Sequence, residues 1–79
     1  MKVRVLFFGM IAEALESSVY TIENYGGNTI GELEAHLLAR YPRLGEFTYQ
    51  IALNQKTVDK SETLKTENEI AILPPFAGG

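Results

Sequence analysis

Between Thr29 and Pro42 the sequence carries one well-bounded amphipathic helix, and the other ordered-looking segments read as strand. Thr29 has the side chain of a good N-cap, and Glu32 three positions later completes a capping box. Ile30, Leu33, Leu37, Leu38 and Tyr41 then recur at helical spacing and form one apolar stripe. Pro42 ends the run, because it has no N–H to donate and it restricts Tyr41 before it. A main helix over about residues 30–41 covers one face of one small sheet. In 79 residues there is room for a single hydrophobic core and no second domain.

The strand segments flank that helix. Val3 to Phe8 is β-branched and aromatic, and Gly9 closes it. Val3, Val5 and Phe7 face one way, while Arg4, Leu6 and Phe8 face the other. Ile11 to Leu15 makes a helical turn or two. Val19 to Glu23 alternates as a strand paired antiparallel to the first would. Past the helix, Gln50–Asn54 and Thr57–Asp59 read as a hairpin around Gln55-Lys56, and Glu69–Leu73 is the last strand. Strand, strand, helix, strand, short strand, strand is the order of an α+β domain of the β-grasp type, with a mixed sheet of four to five strands. The domain is expected over residues 1–74, with a tail over 75–79.

Composition removes most function classes. The absence of cysteine excludes a disulfide framework, a thiolate metal site and a cysteine nucleophile. A net charge of -3, with seven scattered basic residues, argues against nucleic acid. No apolar run approaches the roughly 20 residues needed to span a bilayer. Met1-Lys2-Val3-Arg4 precedes an apolar stretch that stops at Gly9 without a cleavage-site pattern, so a cytoplasmic protein is expected. His36, the single histidine, lies off the apolar stripe and faces water. The acidic pairs Glu32/Glu34 and Glu67/Glu69 read as solvated charges, and no spacing matches a metal site. Gly26-Gly27 lacks the Lys-Ser or Lys-Thr of a phosphate loop.

The tail, Pro74-Pro75-Phe76-Ala77-Gly78-Gly79, is different. Two final glycines arise by chance in roughly one chain in two hundred. Pro74-Pro75 stops sheet pairing and projects the last four residues outward. From Pro75 to Gly79 an extended chain reaches about 16 Å, and glycine keeps its tip thin enough for a narrow tunnel. The carboxylate of Gly79 is a poor electrophile until it is adenylated with ATP. Sulfur can then displace AMP and leave a thiocarboxylate, an ionised nucleophile that delivers sulfur to a carbon centre. None of this requires a catalytic side chain on this chain. The bland counterpart is a frayed end whose glycines have no role.

Val5-Leu6-Phe7-Phe8-Gly9, Ala52-Leu53-Asn54 and Glu69-Ile70-Ala71-Ile72-Leu73-Pro74-Pro75-Phe76-Ala77-Gly78-Gly79 together make the whole chain resemble the small subunits of molybdopterin synthase. These are ubiquitin-like β-grasp sulfur carriers. One departure is Thr66-Glu67-Asn68 where relatives often carry an Asp-Gly-Asp turn; Asn68 tolerates left-handed geometry, so a turn can still form there. The resemblance implies that an E1-like adenylyltransferase activates Gly79 with ATP, while the chain itself holds no cofactor and no metal. It implies a large synthase subunit as partner, in a heterotetramer of two small and two large subunits. There two thiocarboxylated tails convert cyclic pyranopterin monophosphate to molybdopterin. Gly78 and Gly79 are then the reacting end, and the general acid-base groups belong to the large subunit.

A partner surface is expected on physical grounds as well. Ile70 and Ile72 point one way, Ala71 and Leu73 the other, and one helix cannot cover both sets. The uncovered set, with Leu6, Phe8 and Phe76, makes an exposed apolar patch. Phe8, Leu73, Pro75, Phe76 and Ala77 are the candidate partner-binding residues, unless loops around Phe47 and Tyr49 cover the face. Two rivals share the activation chemistry: a carrier for thiamin thiazole synthesis, and a modifier joined to lysines through Gly79. A β-grasp binding module with an incidental tail is the remaining alternative.

Overall fold

The computed structural model describes residues 1–75. Along the chain the elements are β1 (Lys2–Phe7), α1 (Gly9–Leu15), β2 (Val19–Ile22), α2 (Ile30–Arg40), a 3-10 segment (Pro42–Glu46), β3 (Gln50–Leu53), β4 (Lys56–Val58) and β5 (Glu67–Leu73). The strands form one five-stranded sheet in the order β2-β1-β5-β3-β4. The central pair β1/β5 is parallel, and the other pairings are antiparallel. This is the β-grasp arrangement, with α2 laid across one face.

The expected parity holds. Val3, Val5 and Phe7 of β1, Ile70 and Ile72 of β5, and Ile51 and Leu53 of β3 are buried against Ile30, Leu33 and Leu37 of α2. Ile11, Leu44 and Leu64 close the core at its margins. The capping box forms in full: the Glu32 backbone N–H donates to Thr29 Oγ1, and Glu32 Oε1 accepts from the Thr29 backbone. Glu32 also accepts from the Asn28 backbone N–H. These bonds hold its carboxyl below the ordinary value.

Of the boundaries that differ from the sequence reading, three have a clear local reason. Gly9 starts α1 rather than only ending β1, and Phe8 becomes the helix N-cap. At φ 57° Gly9 occupies the left-handed region, which lets the chain turn abruptly from strand into helix. The β3–β4 turn is Asn54-Gln55, one residue earlier than expected. Both residues have positive φ, as a tight hairpin turn requires. The Asn54 side chain holds the turn to β5 by donating to Glu67 O and accepting from Glu69 N–H.

β5, finally, begins at Glu67 rather than Glu69, so Asn68 lies in a strand and not in a turn. Asn68 is buried, and its amide exchanges two hydrogen bonds with the Lys65 backbone, at 2.7 and 2.9 Å. The side chain thus closes the preceding loop from within the sheet, without the left-handed backbone that the Asp-Gly-Asp comparison suggested.

Candidate functional site: the open sheet face and the end of β5

The residues of opposite parity to the core stand on the face that α2 leaves open. Leu6 sits between Val19 of β2 and Ala71 of β5, and Ala71 lies opposite Ala52 of β3. Leu73 pairs with Gln50 at the end of the sheet. Leu6, Ala71 and Leu73 are half-buried, while Phe8 and Val19 are exposed at 42% and 46%. The two alanines, Ala52 buried and Ala71 half-buried, leave the middle of this face without long side chains.

Tyr49 and Phe47 do not cover it. Both pack against the core on the α2 side. The Tyr49 hydroxyl donates to Glu34 of α2 at 2.5 Å, and burial followed by that bond pushes its pKa up. Lys60 completes this small network with an ion pair to Glu34 at 3.3 Å.

Toward the start of β1 and β5 the same face changes character. Lys2 stands opposite Glu67, and Arg4 opposite Glu69 with an ion pair at 3.2 Å. A shallow hollow of about 400 Å³ lies there, lined by these four residues with Asn54 and Asn68. The face therefore runs from a charged ladder at one end to apolar side chains at the other, where β5 ends. Among the described residues no group of three His, Asp or Glu side chains is placed to hold a metal.

Of the candidate residues, Phe8 and Leu73 are brought to the apolar end of the open face, and Pro75 is exposed just past β5. Phe76, Ala77, Gly78 and Gly79 lie outside the described residues. Val19 and Met10 were missed as surface residues. Met10, 75% exposed, follows Phe8 and Gly9 at the same end of the sheet. Val19 shares the parity of Leu6 through the register Leu6↔Val19, which β2 alternation already contains once its pairing partner is fixed. His36 is exposed, as expected, but it is not alone: its Nε2 lies 3.3 Å from the Tyr20 hydroxyl, and Tyr25 meets its ring edge-on.

A mixed sheet in the order β2-β1-β5-β3-β4 with α2 across one face is the fold of small ubiquitin-like β-grasp proteins. The chain belongs to the ThiS family, whose model matches residues 5–79. It is 37% identical over 81 residues to the molybdopterin synthase sulfur carrier subunit of Mycobacterium tuberculosis, covering 99% of this chain and 98% of the relative. Identity is 35% to the protein of the same name from Chlamydomonas reinhardtii, with each chain covered completely.

Among solved structures, the complex of subunits 1 and 2 of the molybdopterin-converting factor from Helicobacter pylori matches with a TM-score of 0.71 at 33% identity, over 100% of both chains. A putative molybdopterin converting factor subunit 1 from Pyrococcus furiosus matches in fold, with a TM-score of 0.84 at 22% identity over 96% and 99% of the two chains. Small archaeal modifier protein 1 of Haloferax volcanii does so too, at 0.81 and 20% over 95% and 98%. Among the described residues no helix is long and apolar enough to cross a membrane.

Proposed function

We propose that this protein is the sulfur carrier subunit of a cytoplasmic molybdopterin synthase and that it acts through the carboxylate of Gly79. The observation that carries the reading is the full-length similarity to proteins named as such carriers, in a family match that extends through Gly78-Gly79. An E1-like adenylyltransferase joins the Gly79 carboxylate to the AMP moiety of ATP and releases pyrophosphate. A sulfur nucleophile then forms a bond to the acyl carbon, and AMP leaves with the former carboxylate oxygen. The resulting thiocarboxylate attacks a carbon of cyclic pyranopterin monophosphate, and the new C–S bond replaces that carbon's bond to oxygen, which leaves with the electron pair. Water cleaves the acyl–sulfur bond afterwards, leaving sulfur on the product and regenerating the carboxylate.

The globular body presents this end. The open face, with Phe8 and Leu73 nearest the tail, docks on the large synthase subunit, and Pro75, Phe76 and Ala77 line the way into its active site. Two such carriers and two large subunits make the heterotetramer, and each carrier supplies one of the two sulfurs. Adenylation belongs to the E1-like enzyme, and the acid-base groups belong to the large subunit. The test is intact-mass analysis after incubation with the activating enzyme, ATP and a sulfur source. The expected result is exchange of one oxygen for sulfur at Gly79, lost on deletion of Gly79 or addition of a residue after it. Sulfur delivery that survives either change overturns the reading, and accumulation of lysine conjugates in its place marks a modifier.

A further inference from the structure

On the side of the sheet away from β5, the outer edge of β2 carries recognition chemistry that the carrier reaction does not use. The register places Phe7 opposite Ser18, and the Phe7 N–H donates to Ser18 O at 3.1 Å. In an antiparallel ladder, residues that bond to the neighbour alternate with residues that do not. Tyr20 and Ile22 therefore turn their N–H and C=O groups inward to β1, and Val19 and Thr21 turn theirs outward. Val19 O accepts from the Ser17 hydroxyl at 3.0 Å, which agrees with an outward carbonyl. The Val19 N–H and both main-chain groups of Thr21 remain along this edge. β2 reads Val-Tyr-Thr-Ile, with no charge and no proline to discourage pairing, unlike β4 at the other edge, which begins with Lys56.

The helix beside this edge adds a second, independent determinant. Tyr20, on the α2 side of β2, stacks with His36 at a centroid distance of 6.3 Å and meets Tyr41 edge-on at 5.5 Å. The Arg40 guanidinium lies 5.7 Å from the Tyr20 ring and 4.7 Å from that of Tyr41. Arg40 makes no ion pair among the described residues. An exposed cation on an aromatic shelf thus stands next to an open strand edge whose α2-side residues, Tyr20 and Ile22, are only half-buried.

We infer that the β2 edge and the Arg40 shelf form a docking site for an extended, acidic peptide segment of another protein. Such a segment adds to the sheet as a sixth strand beside β2. Its main chain bonds to Val19 and Thr21, one apolar side chain packs on Tyr20 and Ile22, and a carboxylate flanking it pairs with Arg40. Strand β1 separates the site from β5, the strand that leads to the tail.

The test uses the full chain and a capped peptide, Asp-Asp-Val-Ile-Val-Ile-Gly, titrated into isotopically labelled protein and followed by amide NMR. The expected shifts centre on Val19–Ile22, with His36 and Arg40. Thr21→Pro removes an outward donor and leaves the β1 ladder whole, so it should abolish binding while the amide spectrum stays dispersed. Arg40→Glu, at an exposed position in the last turn of α2, should weaken binding by about tenfold with the amide spectrum still dispersed, and replacing the two Asp by Lys should do the same. No saturable shift, shifts confined to the open face around Leu6 and Leu73, or unchanged affinity with Arg40→Glu would each overturn the site. Sulfur loading of Gly79 should be unchanged in both variants, so this outcome is read separately from that of the carrier reaction.

Discussion

At the scale of single residues, Asn68 is the clearest case of a polar group whose place in the fold gives it weight. It is 6% exposed, and its amide answers both the N–H and the C=O of Lys65. Asn68→Leu keeps the volume but strands those two backbone groups, and should cost about 1–3 kcal/mol in urea unfolding. The sequence did not disclose this role. Beside Thr66-Glu67 an asparagine reads as a turn former, since its side chain suits left-handed backbone and local bonding equally well. Only the pairing of Glu67 with Lys2 shows that β5 has already begun. His36 illustrates the opposite limit: helical counting places it in solvent, and it is exposed, but its contact with Tyr20 joins residues sixteen apart and has no local signature.

At the scale of elements, α2 was legible almost to the residue, because a helix advertises its own start, stripe and stop. Its start is also pH-dependent. Glu32 is held below its ordinary pKa of 4.5, first by the Asn28 backbone N–H and then by that of Thr29. A carboxyl with a depressed folded-state pKa contributes stability that is complete above its unfolded value and is lost as pH falls through the folded one. Unfolding followed from pH 6 downward should therefore show a loss that sets in as the pH enters the ordinary carboxylate range and is complete only below the folded-state value. Glu32→Gln should flatten part of that slope. Asp59, lowered by the Ser61 hydroxyl and backbone N–H, titrates in the same direction and accounts for some of what remains. Strand elements were read correctly in kind and displaced at their ends. The type of hairpin turn depends on two positive φ angles, at Asn54 and Gln55, that residue type only permits and pairing must select.

At the scale of the whole molecule, the decisive property is an imbalance between one helix and a sheet with two faces. The parity of the strands predicted two apolar sets, and the fold shows which set is covered: Ile70 and Ile72 are fully buried, while Ala71 and Leu73 are not. Leu73→Glu or Phe8→Glu should leave the urea midpoint nearly unchanged and weaken binding to a large synthase subunit severalfold or more, measured by calorimetry, because the contact would desolvate the charge. Unfolding in either variant would assign that residue to the core instead.

The central position of β5 has a mechanical consequence. It is bonded to β1 on one side and to β3 on the other, and it is the strand that leads into the tail. A pull applied at Pro75, as when a threaded end is withdrawn from a tunnel, loads this strand along its length. Both ladders then resist in shear, with many bonds sharing the force at once, whereas an edge strand would peel away bond by bond. A load on that end is therefore spread over the middle of the sheet before any one bond opens.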